Sequence, residues 1–208
     1  MTSYPIQLRR RADGQLIDAE LVDGIRPQDL VEIEQEWRSV RDEIRQKLAV
    51  AGVQPNGPGW PESLHWDWRD KVGKLNYLGT QGWAIRCEGR WQGAMLYDDT
   101  SHFAKDPADR GKPLVYIDYI ESAPWNWLVD SIGQKGEFKS VGVRLFEPAV
   151  NHSMNEEYHG RVGLHALPTA EATYLAWGLE AFGPDPSFCQ LSYFELTRAA
   201  ATKWGKTI

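Results

Sequence analysis

Ser140-Val141-Gly142 follows a strongly apolar strand pattern and opens a helical one, an arrangement suited to holding an anion. The first turn of a helix has backbone N–H groups without intrahelical partners and carries the positive end of the helix dipole. Small residues there let a phosphate approach the backbone. The glycine spacing of a dinucleotide fingerprint and the Gly-Lys-Ser/Thr ending of a nucleotide-hydrolase loop are both missing. Other chemistries find less support. His152, His159 and His165 lack a third group at metal-ligand spacing, so no metal site is expected, and His165 reads as a satisfied core or edge histidine. Ser122 and Ser140 have no motif-level base. Cys87 and Cys189 make neither a disulfide framework nor a zinc set.

These residues need elements to position them. Leu114-Val115-Tyr116-Ile117-Asp118-Tyr119-Ile120-Glu121 is apolar and aromatic along nearly its whole length, which indicates burial on both faces and a central place in a sheet. A helix is predicted from about Val141 to Glu157, with Pro148 expected to kink it or end it early. A strand at 160–167, a helix at 169–177, a strand at 191–196 and a terminal helical turn at 197–204 follow. Upstream, Pro27 opens a long amphipathic helix in which Leu30, Ile33, Trp37, Val40, Ile44 and Leu48 share one face and Gly52 marks the stop. Glu32, Glu36, Arg38, Arg41, Asp42, Arg45 and Lys47 fill its other positions. Strands at 6–9 and 15–22, joined at Asp13-Gly14, precede this helix. After it come Pro/Gly punctuation at 54–61, a short helix over 62–71, a hairpin of 83–88 with 90–97, and a loop at 98–113. The order predicts an α/β protein with a central mixed sheet flanked by helices, in a single domain over 1–208 whose segment 1–25 is poorly placed.

Taken together, the chain resembles the GNAT superfamily of acyl-CoA-dependent N-acyltransferases. The likeness rests on four stretches: Tyr116-Ile117-Asp118-Tyr119-Ile120-Glu121-Ser122-Ala123-Pro124-Trp125-Asn126; Phe138-Lys139-Ser140-Val141-Gly142-Val143-Arg144-Leu145; Gly160-Arg161-Val162-Gly163-Leu164-His165-Ala166-Leu167-Pro168; and Ala170-Glu171-Ala172-Thr173-Tyr174-Leu175-Ala176-Trp177-Gly178-Leu179. It is specific over 115–179, the expected acyl-CoA-binding core, and holds in element order over roughly 80–200. It implies a V-shaped opening between the parallel strands 115–122 and 160–167, where the thioester arm of acetyl-CoA, the acyl donor, pairs with the first strand around Ile120 and Ser122. The pyrophosphate would sit on the amides of Phe138, Lys139, Ser140, Val141, Gly142 and Val143. The loop departs from the family pattern at Ser140, where a Gly is usual, and at Glu137, where a cation or amide is usual.

Acyl transfer needs a deprotonated amine, a donor for the oxyanion and a proton for the departing thiolate. Glu121 is the candidate general base, with a strand-end carboxylate bonded to a neighbour as the alternative. Tyr174 falls where the family often carries the Tyr that protonates the thiolate, and it reads equally as a packing aromatic. Trp66 and Asp67, on the segment expected on the substrate side, would suit a cationic amine; the alternative is that Trp66 packs and Asp67 caps or is solvated. The implied function is transfer of an acyl group, acetyl in the simplest case, to an amine of a small molecule, peptide or protein. The alternative on the same fold is a degenerate binding module, an acyl-CoA sensor or a protein-docking domain.

Charge and composition bound the partners. Among 208 residues, 23 Lys and Arg against 29 Asp and Glu give a net charge of −6. This argues against a general nucleic-acid or anionic-membrane surface while leaving room for a local basic patch. No apolar run approaches the ~20 residues that span a bilayer. Met1-Thr2-Ser3-Tyr4-Pro5 lacks the layout of a secretory signal, so a cytoplasmic location with reduced thiols is expected. The oligomeric state stays open, with a homodimer as one outcome. Ten Trp residues, clustered at 60–68, are read first as packing groups and second as the lining of a ligand site.

Overall fold

A computed structural model describes residues 1–204. The chain gathers into two compact units. The first comprises Met1–Tyr77, Gly82–Met95 and Ile120–Leu145, and the second Leu78–Gln81, Leu96–Tyr119 and the described residues from Phe146 on. Among the described residues the strands belong to one mixed sheet flanked by helices, in the order β6-β1-β2-β3-β4-β5-β7-β9-β8.

In the first unit, β1 (Thr2–Arg10) and β2 (Leu16–Asp23) form an antiparallel pair from Thr2↔Asp23 to Arg9↔Leu16. Pro5 lies within β1, a position tolerated only where a strand has a free edge. β2 pairs in turn with β3 (Thr80–Cys87), which precedes β4 (Arg90–Asp98). Between β2 and β3 runs α1 (Pro27–Val50), opened by Pro27 and by an Asp29 carboxylate that accepts the Arg26 backbone N–H at 2.7 Å. Its buried residues are Asp29, Leu30, Ile33, Glu34, Trp37, Arg41, Ile44 and Leu48. The spacing is regular, but the stripe passes through Arg41, not through Val40 as the apolar pattern suggests. Trp37 anchors the helix: its indole N–H donates to the Trp91 carbonyl at 2.9 Å, and it meets Trp68 and Trp125 edge-on.

The segment after α1 is helical where expected but of another type. Two 3₁₀ pieces, Glu62–His65 and Trp68–Asn76, flank extended residues Trp66 and Asp67. Leu64 and Trp68 are both buried, and holding these two anchors interrupts any continuous α-helix.

The second unit holds the start of β5 (Val115–Ser122), β7 (Val162–Ala166), α3 (Glu171–Ala176), β8 (Glu180–Asp185), β9 (Leu191–Leu196) and α4 (Arg198–Ala201). β8 and β9 pair antiparallel, with an irregularity between Ala181 and Pro184. β8 falls between the helix at 169–177 and the strand at 191–196, where no element is placed from sequence. As an outer strand it needs only one hydrogen-bonded side. β6 (Phe138–Lys139), in the first unit, is equally short of sequence signal. The helix that follows it, α2 (Val141–Asn155), runs through Pro148 without ending there.

Candidate functional site

The ladder between β5 and β7 is short. It joins Val115–Ile117 to Val162–Leu164 in parallel register, while β5 continues to Ser122 and β7 to Ala166. On its other side β7 stays paired with β9 through Ala166↔Ser192. From Asp118 and His165 onward the two neighbours share no rung. Parallel strands that part in this way leave backbone groups for a third extended chain or ligand. Farther along β5, Ile120 and Ser122 are half-buried, and the Ser122 carbonyl accepts the Trp127 indole N–H at 2.9 Å.

The loop ahead of α2 is fastened from several sides within the first unit. β6 pairs with β1 at Arg9↔Lys139 and Arg10↔Phe138. Asn126 bridges, accepting the Phe138 N–H at 2.9 Å and donating to the Gln92 carbonyl at 3.2 Å. Gly136 is required here: its φ is +73°, and an added Cβ would lie 2.5 Å from the Asn126 carbonyl oxygen. Ser140 follows with φ +64°, the left-handed region that a glycine would occupy without strain and that costs another residue about 1 kcal/mol. Its carbonyl accepts the first helical bond, from the Arg144 N–H at 3.0 Å. Val141 and Val143 are buried and Gly142 half-buried, so the first turn of α2 is held by its apolar side chains. Glu137 pairs with Arg90 at 3.3 Å, and that guanidinium stacks 3.8 Å above the Trp125 ring. The departure at Glu137 is therefore partly neutralised by a neighbour distant in sequence.

Glu121 lies in a buried ionic network of the first unit. Its Oε2 accepts from Arg41 at 2.9 Å and from the Trp68 indole at 2.6 Å, and Arg41 also donates to Glu34 at 2.6 Å. Burial pushes the Glu121 carboxyl above the ordinary glutamate range, against the pull of Arg41, Trp68 and Ser63. Oε1 and the Arg41 Nε are both buried without a normal hydrogen bond. Lys71 belongs to the same surroundings, its ammonium 4.8 Å from the Trp66 ring and pushed down by burial. The sequence gives a signal for Arg41, seven residues after Glu34 and four after Trp37 on one helical face. It gives none for Trp68.

Asp67 caps the second 3₁₀ piece by accepting the Arg69 N–H at 2.9 Å, and it pairs with Arg69 at 2.6 Å and Arg38 at 2.5 Å. These partners bring its carboxyl down to about 2. Tyr174, on α3 in the second unit, is buried edge-on against Trp177 and 6.0 Å from Phe194. Burial pushes its phenol well above the ordinary value, so it stays protonated. Thus Phe138–Val143 are brought together, Glu121 is drawn to α1, Asp67 is committed to two guanidinium groups, and Tyr174 packs in an aromatic cluster. No group of three His, Cys, Asp or Glu side chains among the described residues is arranged to hold a metal ion. None of their helices is long and apolar enough to cross a membrane.

No family model and no curated protein matches the sequence. Solved structures do. The GNAT domain of S. lividans PAT is similar with a TM-score of 0.50 at 17% identity, over 93% of this chain and 95% of that one. An N-acetyltransferase from Staphylococcus aureus Mu50 gives 0.48 at 13%, over 86% and 98%. FeeM, an N-acyl amino acid synthase from uncultured soil microbes, gives 0.47 at 10%, over 86% and 90%. At such identities the likeness is one of fold, and the first of the three carries it: the chain has the GNAT fold.

Proposed function

We propose that this GNAT-fold chain is an acyl-CoA-dependent N-acyltransferase, moving an acyl group, acetyl in the simplest case, onto a primary amine. The observation that carries the reading is the parting of β5 and β7 beyond Ile117↔Leu164. An extended thioester arm can there take up the backbone pairing that β7 leaves unmade at Asp118 and Tyr119 of β5, and Ile120 and Ser122, the next positions of that strand, are assigned to the same arm. Lys139, Ser140, Val141, Gly142 and Val143 supply the amides for the pyrophosphate; Phe138, expected from sequence to join them, does not, because its N–H is taken by the Asn126 side chain. Ser140 in a glycine-like conformation supports that role, because it lets the first-turn N–H groups of α2 stay uncovered. Tyr174, kept protonated by burial, is suited to return a proton to the leaving thiolate. Trp66 and Asp67 are assigned to the acceptor side, with the ring supplying the contact surface and Asp67 fixing its backbone. The protein works in the cytoplasm in this reading.

Glu121 favours a second reading. Its carboxylate is spent on Arg41 and Trp68, which suits a module that holds acyl-CoA without turning it over. One measurement bears on both. Acetyl-CoA at 100 times its Kd stabilises the fold by about 2.7 kcal/mol, read as a rise in unfolding temperature. Thiol release on adding amines then separates enzyme from sensor. A chain whose unfolding is unmoved by millimolar acetyl-CoA is neither.

A further inference from the structure

Tyr116 and His165 stand on neighbouring strands of the second unit where the β5–β7 ladder gives out: Tyr116 is paired with Gly163, and His165 comes just after the last rung at Leu164. The Tyr116 hydroxyl lies 2.6 Å from His165 Nδ1, and His165 Nε2 lies 3.3 Å from Asp185 Oδ2. A carboxylate only accepts, so Nε2 carries hydrogen. Burial pushes the His165 ring below the ordinary histidine value in spite of Asp185, which leaves it neutral with Nδ1 as an acceptor. Tyr116 therefore donates to His165, and His165 donates to Asp185.

The surroundings hold this chain of groups in place. Lys105 Nζ and the Ser187 N–H fix Asp185 at 2.7 and 2.9 Å. Phe188 stacks on the imidazole at 3.8 Å and His102 on the Tyr116 ring at 3.9 Å. Further charged or titratable neighbours among the described residues are Asp118 and Tyr119 from β5, Tyr193 and Glu195 from β9, and Asp106 beside Glu195. Gly163 makes room for them, since an added Cβ would lie 2.4 Å from the Tyr193 hydroxyl.

We propose that Tyr116, His165 and Asp185 form the proton relay of the acyl transfer, with Tyr116 the catalytic residue that meets the acceptor amine and the other two positioning residues that act through it. The inference rests on the transferase reading above. An alkylammonium passes a proton to the Tyr116 oxygen as Tyr116 passes its own to His165 Nδ1, and Asp185 stabilises the imidazolium. The freed lone pair forms the C–N bond. The C–S bond breaks with its electrons on sulfur, Tyr174 gives its proton to that sulfur and takes one back from the new amide nitrogen, and the proton on His165 returns to solvent through Tyr116. Asp118, on the same face of β5 as Tyr116 by strand alternation, gives this position a preference for a cationic amine over a neutral alcohol.

The test compares wild type with Tyr116→Phe and His165→Gln. Acetyl-CoA binding is read by thermal shift, and thiol release is followed with spermidine, tyramine and an alanine-initiated peptide as acceptors. The expected result is acetyl-CoA binding within about twofold of wild type and kcat at pH 7 down by about 100-fold. That loss should shrink as pH rises toward the amine's own pKa, where solvent deprotonates it. Equal kcat at pH 7, or the same loss at every pH, overturns the relay while leaving the transferase standing. Wild type that neither shifts with acetyl-CoA nor releases thiol overturns both. Imidazole ¹⁵N shifts of the wild-type protein check the relay without turnover or variants: a neutral Nε2–H ring at pH 7 supports it, and an Nδ1–H tautomer or an imidazolium removes it.

Discussion

At Glu121 two donors, Arg41 at 2.9 Å and the Trp68 indole at 2.6 Å, converge on one carboxylate oxygen deep in the first unit. Removing one partner of a buried ion pair costs more than the pair contributes, because the other charge stays desolvated. Glu121→Gln is expected to lower unfolding free energy by about 3 kcal/mol at pH 7, measured by urea denaturation. A catalytic base with no packing role would behave the other way, with an unchanged urea midpoint and lost turnover. Sequence shows a carboxylate at the end of a buried strand and no more. Which of the two roles it serves is decided by Arg41, eighty residues earlier in the chain, where a cation joins Glu34 on the buried face of α1. Ser140 is similar: its identity is visible as a departure from a glycine pattern, whereas its left-handed backbone is a property of the loop.

Among the elements, those with strong periodicity were legible and those set by neighbours were not. α1, the β1–β2 pair and the β3–β4 hairpin lie close to where hydrophobic spacing and turn residues place them. The two-residue β6 exists because Arg9 and Arg10 offer it an edge, and the 3₁₀ character of 62–76 follows from the anchors Leu64 and Trp68. Contact between α2 and the sheet depends on one small residue, Gly93 on β4. A Cβ there would meet Leu145 Cδ1 at 2.7 Å, Val141 Cγ1 at 2.8 Å and the Glu121 carbonyl oxygen at 3.1 Å. Gly93→Ala is therefore expected to cost about 1–3 kcal/mol in chemical denaturation. It should also weaken acetyl-CoA binding, because the displaced turn is the one that carries Gly142. An unchanged midpoint would mean that α2 adjusts freely.

At the scale of the molecule, the sheet ends on β8 at one side and on β6 and the uncovered length of β1 at the other. Each long outer strand contains a proline, Pro5 in β1 and Pro184 in β8, and β8 has its register break beside Pro184. A proline cannot donate to an incoming strand, and a break in register spoils the template that a neighbouring chain would copy. Two identical molecules thus have no continuous rim along which to zip, although the described residues form one sheet of nine strands. Sedimentation is expected to give a single monomeric species at micromolar concentration, and the double variant Pro5→Val, Pro184→Val to self-associate. The same two rings that interrupt the rim guard the protein against recruitment into fibrils while its strands are still finding one another.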